Sequence, residues 1–386
     1  MSDLAPLAVY VHWPYCARIC PYCDFNVLRD RGQAEQQTLA EAIARDLAGQ
    51  AALTGPRRLV SVFFGGGTPS LMDPAWVAAI LDQAKRLWPA ADDLEVSLEA
   101  NPTDAEAGRF AALADAGVER LSLGLQSLDD EALRFLGRNH DAAEARRAAA
   151  LAAKAFPRLS LDLIYARPGQ TIAAWTDELR AALDLGPEHL SPYQLTIEPG
   201  TAFDRAVGRG RLVPPDHDLA AGLFETTQEV LEAAGFEAYE VSNHAKGDAA
   251  RSRHNLAYWT GLDYVGAGPG AHGRLTREGA RFATEAAAKV GDYIAAVNAS
   301  GAGFARSEAL TPREAAIERL LMGLRIDEGV AWNEVSVLGL GQRSEAVTDL
   351  AAEGLANVTP GRLALTRQGR AILDSVVAVL VDAEKV

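Results

Sequence analysis

Six short runs rich in Val, Leu and Phe punctuate the first two-thirds of the chain: LAVYVHW from Leu7, LVSVFFG from Leu59, LEVSLEA from Leu94, RLSLGLQ from Arg120, LSLDLIY from Leu159 and LSPYQLTI from Leu190. They are apolar almost throughout, the pattern of parallel strands buried on both faces. Between them lie Ala-rich stretches with helical spacing of apolar positions, for example Gln33 to Ala52, Pro74 to Leu87 and Ala105 to Ala116. Ala116-Gly117 marks a helix stop before the next strand. Repeated strand–helix units imply a parallel sheet with right-handed crossovers, either barrel-like or doubly wound. With six units, the pattern predicts an α/β fold built as an incomplete (β/α)6 TIM-like barrel. In both architectures ligands are met at the C-terminal ends of the strands.

After the sixth run the pattern changes. Gly261 to Gly273 (GLDYVGAGPGAHG) is glycine-dense and reads as a loop, followed by a hairpin around Arg274 to Phe282 with Glu278-Gly279 near its turn. A helix is expected to open at Thr311, with Thr311 as N-cap, Pro312 at the first helical position and Glu314 completing a capping box. Leu350 to Leu355 suggests a helix end, NVTPGRLALT a two-strand wing around Pro360-Gly361, and Arg367 the start of a last helix. The chain therefore divides into a strand–helix core (1–240), a connecting segment (241–305) and a small winged-helix-like domain (306–386). The last is expected to serve as a lid or packing domain.

Composition narrows the function classes. The 386 residues suffice for one large core plus a smaller domain, and 48% hydrophobic with 23% charged residues is ordinary for a soluble globular protein. A net charge of -15 disfavours a general nucleic-acid binder, which would show a basic stripe. No apolar run approaches the ~20 residues that span a bilayer. The opening MSDLAPLAVY shows neither a basic nor an apolar leader region, so no signal peptide is expected. Three clustered cysteines do not make a disulfide framework and suit a reducing, cytoplasmic setting.

Those cysteines, Cys16, Cys20 and Cys23, follow the first strand as Cys-x-x-x-Cys-x-x-Cys. Thiolates packed this closely hold a metal or a cluster. A zinc site is the plainer alternative, yet it wants four ligands and no second cysteine pair exists. A complete four-cysteine iron–sulfur site fails on the same count. A histidine fourth ligand stays open, His12 being nearest in sequence. A four-iron cluster on three thiolates would keep one iron free to bind a further ligand.

Two more signals fall at strand ends. FFGGGTPS, Phe63 to Ser70, places Gly65-Gly66-Gly67 where backbone can approach a ligand and donate N–H groups to it. It lacks the Gly-Lys-Ser/Thr ending of a phosphate-binding P-loop. Glu99, Gln126 and Asp162 are polar residues in otherwise apolar strands, and a buried carboxylate needs a partner. Each has a plain alternative in a structural hydrogen bond to a neighbouring loop.

The cysteine spacing, with aromatic Tyr22 just before the last cysteine, resembles the radical S-adenosylmethionine (SAM) superfamily. The resemblance covers nearly the whole chain and implies a [4Fe–4S] cluster on Cys16, Cys20 and Cys23, with SAM on its open iron. It also implies that reducing the cluster cleaves SAM to a 5′-deoxyadenosyl radical, with electrons from a flavodoxin-like or ferredoxin-like donor. The nearest pattern is the oxygen-independent coproporphyrinogen III oxidase-like branch. By that likeness the SAM contacts are Tyr10, Tyr22, Gly66, Gly67, Thr68, Glu99, Gln126, Arg138 in GRNH, and Asp162.

The chain departs from that branch's oxidases in two ways. They carry a further cysteine two residues past the third, where this chain has Phe25, and a longer N-terminal arm, where nine residues precede Tyr10. Both features resemble the heme-chaperone relatives, as does His-Asn-x-x-Tyr-Trp: His254, Asn255, Tyr258 and Trp259. Imidazole is a common heme ligand and flat aromatics suit a porphyrin face. Judged on chemistry alone, the motif is equally a capping histidine with a Tyr-Trp core pair. The resemblance implies heme binding, with His254 near the heme, and transfer to an acceptor hemoprotein. Its rivals are oxidative decarboxylation of coproporphyrinogen III and radical modification of a nucleic acid.

Overall fold

The computed structural model describes residues 4–382. Residues 1–3 and 383–386, the outer ends of the first and last expected domains and part of the leader reading, lie outside the described residues. The six apolar runs form β1 (Pro6–Trp13), β2 (Arg58–Gly66), β3 (Ala90–Ala100), β4 (Arg120–Gln126), β5 (Arg158–Tyr165) and β6 (His189–Gln194). They pair in parallel, each with the next. Leu7, Val9, Val62, Leu98, Leu121, Leu161 and Leu190 are buried among them. Each such side chain contributes about 2 kcal/mol of burial.

The connecting helices obey local signals. Gln33–Thr54 stops at Gly55, and Pro74–Leu87 starts at Asp73, whose side chain accepts from the Ala75 amide at 2.9 Å. Two tryptophans lock helices to the core: Trp88 Nε1 donates to Thr54 Oγ1 (2.9 Å) and Trp175 Nε1 to Thr227 Oγ1 (2.8 Å). The expected helix Ala105 to Ala116 is broken in two, Asp104–Ala107 and Phe110–Asp115. Gly108 and Arg109 fall at the break, where Arg109 Nη1 donates to the Leu71 carbonyl at 3.1 Å.

The glycine-dense stretch departs most from expectation. Asp263–Ala267 inside it is a strand, β7, which pairs in parallel with β1. Seven strands therefore run parallel, and β7 lies beside β1 from the far side. β8 (His272–Arg277), β9 (Ala280–Ala286) and β10 (Phe304–Ala309) extend the sheet antiparallel. The order is β10-β9-β8-β7-β1-β2-β3-β4-β5-β6, followed by two-residue strands His244–Ala245 and Glu237–Ala238. The β8–β9 hairpin turns at Glu278 (φ 51°) and Gly279 (φ 79°), the left-handed pair a tight two-residue turn requires.

The C-terminal unit has its own core, from Ala316 to Leu380. Its first helix, Pro312–Gly323, opens with the expected capping box: the Glu314 amide donates to Thr311 Oγ1 (3.2 Å) and the Thr311 amide to Glu314 Oε2 (2.8 Å). Val330–Ala331, Arg362–Leu365 and Ala356–Val358 form a three-stranded wing. Half-buried ion pairs tie this unit to the barrel: Arg325 pairs with the buried Glu240 (2.9 Å), and Arg274 and Arg281 both pair with Glu318 (2.7 and 3.4 Å). Among the described residues no helix is long and apolar enough to cross a membrane.

Candidate functional site

The cysteine loop is anchored at its base. Tyr15–Cys16 pairs with Leu28–Arg29, and the Leu28 amide donates to the Pro14 carbonyl at 2.7 Å. The glycine turn after β2 docks against the same base: Gly67 N donates to Trp13 O (2.7 Å) and Thr68 N to Tyr15 O (2.9 Å). Glycine is required there. A Cβ at Gly66 (φ 109°) would lie 2.5 Å from the His12 ring, and one at Gly67 would lie 2.8 Å from Pro14 backbone.

From that base a hydrogen-bond chain crosses between strand ends. Thr68 Oγ1 donates to Cys16 Sγ (3.5 Å), Asn101 Nδ2 to Thr68 Oγ1 (3.0 Å) and Arg138 Nη2 to Asn101 Oδ1. Arg138 Nη1 reaches Cys20 Sγ and the Tyr22 hydroxyl, both at 3.4 Å, and Nη2 also donates to Gly124 O (3.1 Å). Burial pushes the Cys23 thiol up to about 11 and raises Cys16, so a bound cation's charge is what would deprotonate them.

Cys16, Cys20 and Cys23 line one cavity of about 450 Å³. Tyr22, Gly66, Gly67 and Thr68 share its wall, as do Glu99, Gln126, Arg138 and Asp162. Its far side carries two carboxyls. Glu99 Oε2 accepts from the Gly66 amide (3.1 Å); burial first, and the Asp162 charge second, raise it to about 8. Asp162 accepts from Ser122 Oγ (2.9 Å) and Ser160 Oγ (3.2 Å), and burial raises it too. Gln126 sits at φ 64°, a strained position for a side-chain-bearing residue, and its Oε1 is buried without a partner. Arg138 Nε is likewise unpartnered.

These features fit the groups expected there. Orphaned polar atoms and reluctant carboxyls suit a polar ligand that carries positive charge. Three thiols on one wall suit a cluster that takes one thiolate per iron. Among the described residues no three His, Cys, Asp or Glu converge as a single-ion site requires. Donors on separate irons need not converge.

A second cavity of about 1000 Å³ lies on the other side of Gly66 and Glu99, which line both, as do Asp24 and Phe25. Phe25 is 60% exposed at the shared rim. Tyr10, Tyr258, Trp259 and Tyr264 give this cavity an aromatic face, and the Pro312–Gly323 helix contributes Ala315, Arg319 and Met322. Arg319 Nη1 holds the Trp259 carbonyl (2.9 Å), and the Arg325 guanidinium lies over the Trp259 ring at 4.5 Å.

Two expected site residues are placed differently. Tyr10 does not line the cysteine cavity: β1 aims it behind the glycine turn, its hydroxyl 3.1 Å from His12 Nδ1, into the aromatic cavity. His254 lines neither cavity and is 1% exposed. Its Nδ1 pairs with Ser61 Oγ (2.9 Å), its Nε2 with the Tyr258 hydroxyl (2.7 Å), and its ring stacks on Phe63. Burial lowers it to about 3. With both nitrogens engaged, His254 is not an open iron ligand here; it positions Tyr258. Asn101, which joins Thr68 to Arg138, was missed by sequence reasoning, though it directly follows the strand that carries Glu99 and its amide is held by Glu106 at 2.8 Å.

Comparison with known proteins agrees with this geometry. Residues 10–182 match the radical SAM superfamily model and residues 310–372 the HemN C-terminal domain. A mouse protein, radical S-adenosyl methionine domain-containing protein 1, mitochondrial, is 41% identical over 385 residues, covering 97% of this chain and 87% of its own. Heme chaperone HemW is 42% identical in Escherichia coli, over 72% of each chain, and 34% identical in Bacillus subtilis, over 94% and 96%. The mouse protein's mitochondrial name shows that a cytoplasmic setting is not general among these relatives. The crystal structure of coproporphyrinogen III oxidase (HemN) from E. coli shares the fold, with a TM-score of 0.80 over 98% of this chain and 90% of that one, at 21% identity.

Proposed function

The chain belongs to the radical SAM superfamily, in its HemN-like branch with the heme chaperone HemW, and from that premise we propose that it binds heme and passes it to an acceptor hemoprotein. Cys16, Cys20 and Cys23 would hold a [4Fe–4S] cluster, and the Gly66-Gly67-Thr68 turn would receive the amino-acid end of SAM. Together these cofactors supply one-electron chemistry at the SAM sulfonium when reduced by a flavodoxin-like or ferredoxin-like donor. Glu99 and Asp162 offer carboxylates to the positive end of that ligand, and Gln126 and Arg138 turn unspent hydrogen-bonding capacity toward it. Arg138 also keeps Cys20 and Tyr22 in register through the bonds described above.

The observation that carries the reading is the common wall. The aromatic cavity has the size of a large flat ligand's site and touches the cysteine cavity through Gly66, Glu99 and Phe25. A tetrapyrrole there would lie against Tyr258 and Trp259, and Arg281 and Arg319 are the cations within reach of its carboxylates. The Pro312–Gly323 helix then acts as a roof.

An anaerobic heme titration of the cluster-loaded protein, followed by mixing with an apo-hemoprotein, tests the proposal. Saturable binding with a Soret shift, then transfer of that absorbance to the acceptor, is the expected result. No saturable binding, with conversion of coproporphyrinogen III under the same anaerobiosis, would replace it with the oxidase reading.

A further inference from the structure

We infer that His272 is the residue that ligates the heme iron in the aromatic cavity, an assignment that rests on the heme-binding reading above. Seven histidines are present, and their surroundings separate them. His12 is bonded at both nitrogens, to Tyr10 (3.1 Å) and the Asn26 carbonyl (2.9 Å). His189 is bonded at both, to Ser160 (2.7 Å) and Tyr239 (2.8 Å), and His254 to Ser61 and Tyr258. His140 and His244 are buried, and His217 opens the His217–Ala233 helix; none of the three lines the cavity. His272 alone is an exposed imidazole facing it, with no hydrogen-bond partner among the described residues.

The glycine-dense run explains how His272 comes to be there. A Cβ at Gly266 would lie 2.0 Å from the His272 carbonyl oxygen, one at Gly268 (φ 109°) 2.2 Å from the His12 carbonyl, and one at Gly270 (φ 78°) 2.6 Å from the Asn26 amide. Bare backbone is thus required at three alternate positions. It lets the β7–β8 turn lie flat under the cysteine loop, where Asn26 Nδ2 binds the Pro269 carbonyl at 2.8 Å. The Gly270 and Ala271 backbone is pinned to Ala287 and Ala286 (3.1 and 2.8 Å), so β8 begins at a fixed point. Its first residue is His272.

The chemistry is balanced without any co-reactant. One ring nitrogen donates its lone pair to iron, the other keeps its proton, and a weakly held water leaves. Met322, on the roofing helix, is the only thioether among the described residues that lines the cavity, and it offers a soft donor from that side.

The test is an anaerobic hemin titration of full-length, cluster-loaded wild type, His272→Ala and His272→Gln, read by Soret absorbance and low-temperature EPR. Both variants are expected to bind about tenfold or more weakly and to lose the nitrogen-ligated low-spin signature. Free imidazole should restore that signature in His272→Ala, while circular dichroism and cluster absorbance stay at wild-type values. Variants with unchanged Soret position and EPR signature would overturn the assignment and leave heme binding standing. Wild type that shows no saturable binding would overturn the heme reading itself, and this assignment with it. Glutamine keeps the strand start polar, so a folding fault peculiar to alanine does not blur the outcome.

Discussion

The cysteine cavity and the aromatic cavity share a wall but are built on different principles. The first is assembled from successive parallel strands, each delivering a polar residue to a common mouth: Glu99 and Gln126 from strand ends and Asp162 from within its strand. The second is assembled from segments far apart in sequence: Tyr10 on β1, Tyr258 and Trp259 on a short helix, His272 after a glycine turn, and Met322 on the Pro312–Gly323 helix. In the first, barrel geometry makes the site and residues fill it. In the second, side chains from several segments create the space itself. The first tolerates few substitutions because its donors are unique. The second is expected to lose affinity by degrees.

The largest effect should come from Cys16, Cys20 and Cys23 changed together to Ala. Iron and acid-labile sulfide are expected to fall to background after reconstitution, while hemin affinity stays within about twofold because none of the three cysteines lines the aromatic cavity. Retention of a full cluster would remove the cluster assignment. Collapse of heme binding would make the two cavities one site.

Trp259→Ala probes the other side. It removes an aromatic wall and the surface on which Arg325 lies, so hemin should bind about tenfold more weakly with cluster content unchanged. An unaltered affinity would place heme elsewhere.

A third effect, on stability, belongs to the shared wall. Glu99 is raised from 4.5 to about 8, so ionising it in the fold is unfavourable and wild-type stability is lost as pH rises from about 4.5 through 8. Glu99→Gln lacks that slope. Denaturant unfolding at pH 6 and pH 9 should shift the difference by about 2–3 kcal/mol toward the variant at the higher pH. A pH-independent difference would mean that Glu99 is already ionised and partnered in the empty site.

Much of the barrel was legible because buried parallel strands impose an apolar run and their crossover helices impose caps and stops. Pro74–Leu87, the Thr311 capping box and the Glu278-Gly279 turn follow from such local rules. The break at Gly108–Arg109 and strand β7 do not. The first coincides with an arginine drawn to the Leu71 carbonyl, and the second is a strand only because β1 offers it a partner. Asn101 escaped notice since an Asn before Pro reads as a turn signal, and its contacts with Thr68 and Arg138 cross three strands.

Sequence by itself determined the cysteine triad, a glycine turn after the second strand, and polar residues set in apolar strands, because period and spacing fix where such residues fall on a parallel barrel. Tertiary structure alone decided that Tyr10 lines the aromatic cavity, that His254 is spent on Ser61 and Tyr258, and that the His272 ring meets no hydrogen-bond partner among the described residues. Whether an imidazole is a ligand or a strut depends on which groups reach its two nitrogens, and those groups come from elements that meet only when the chain is folded.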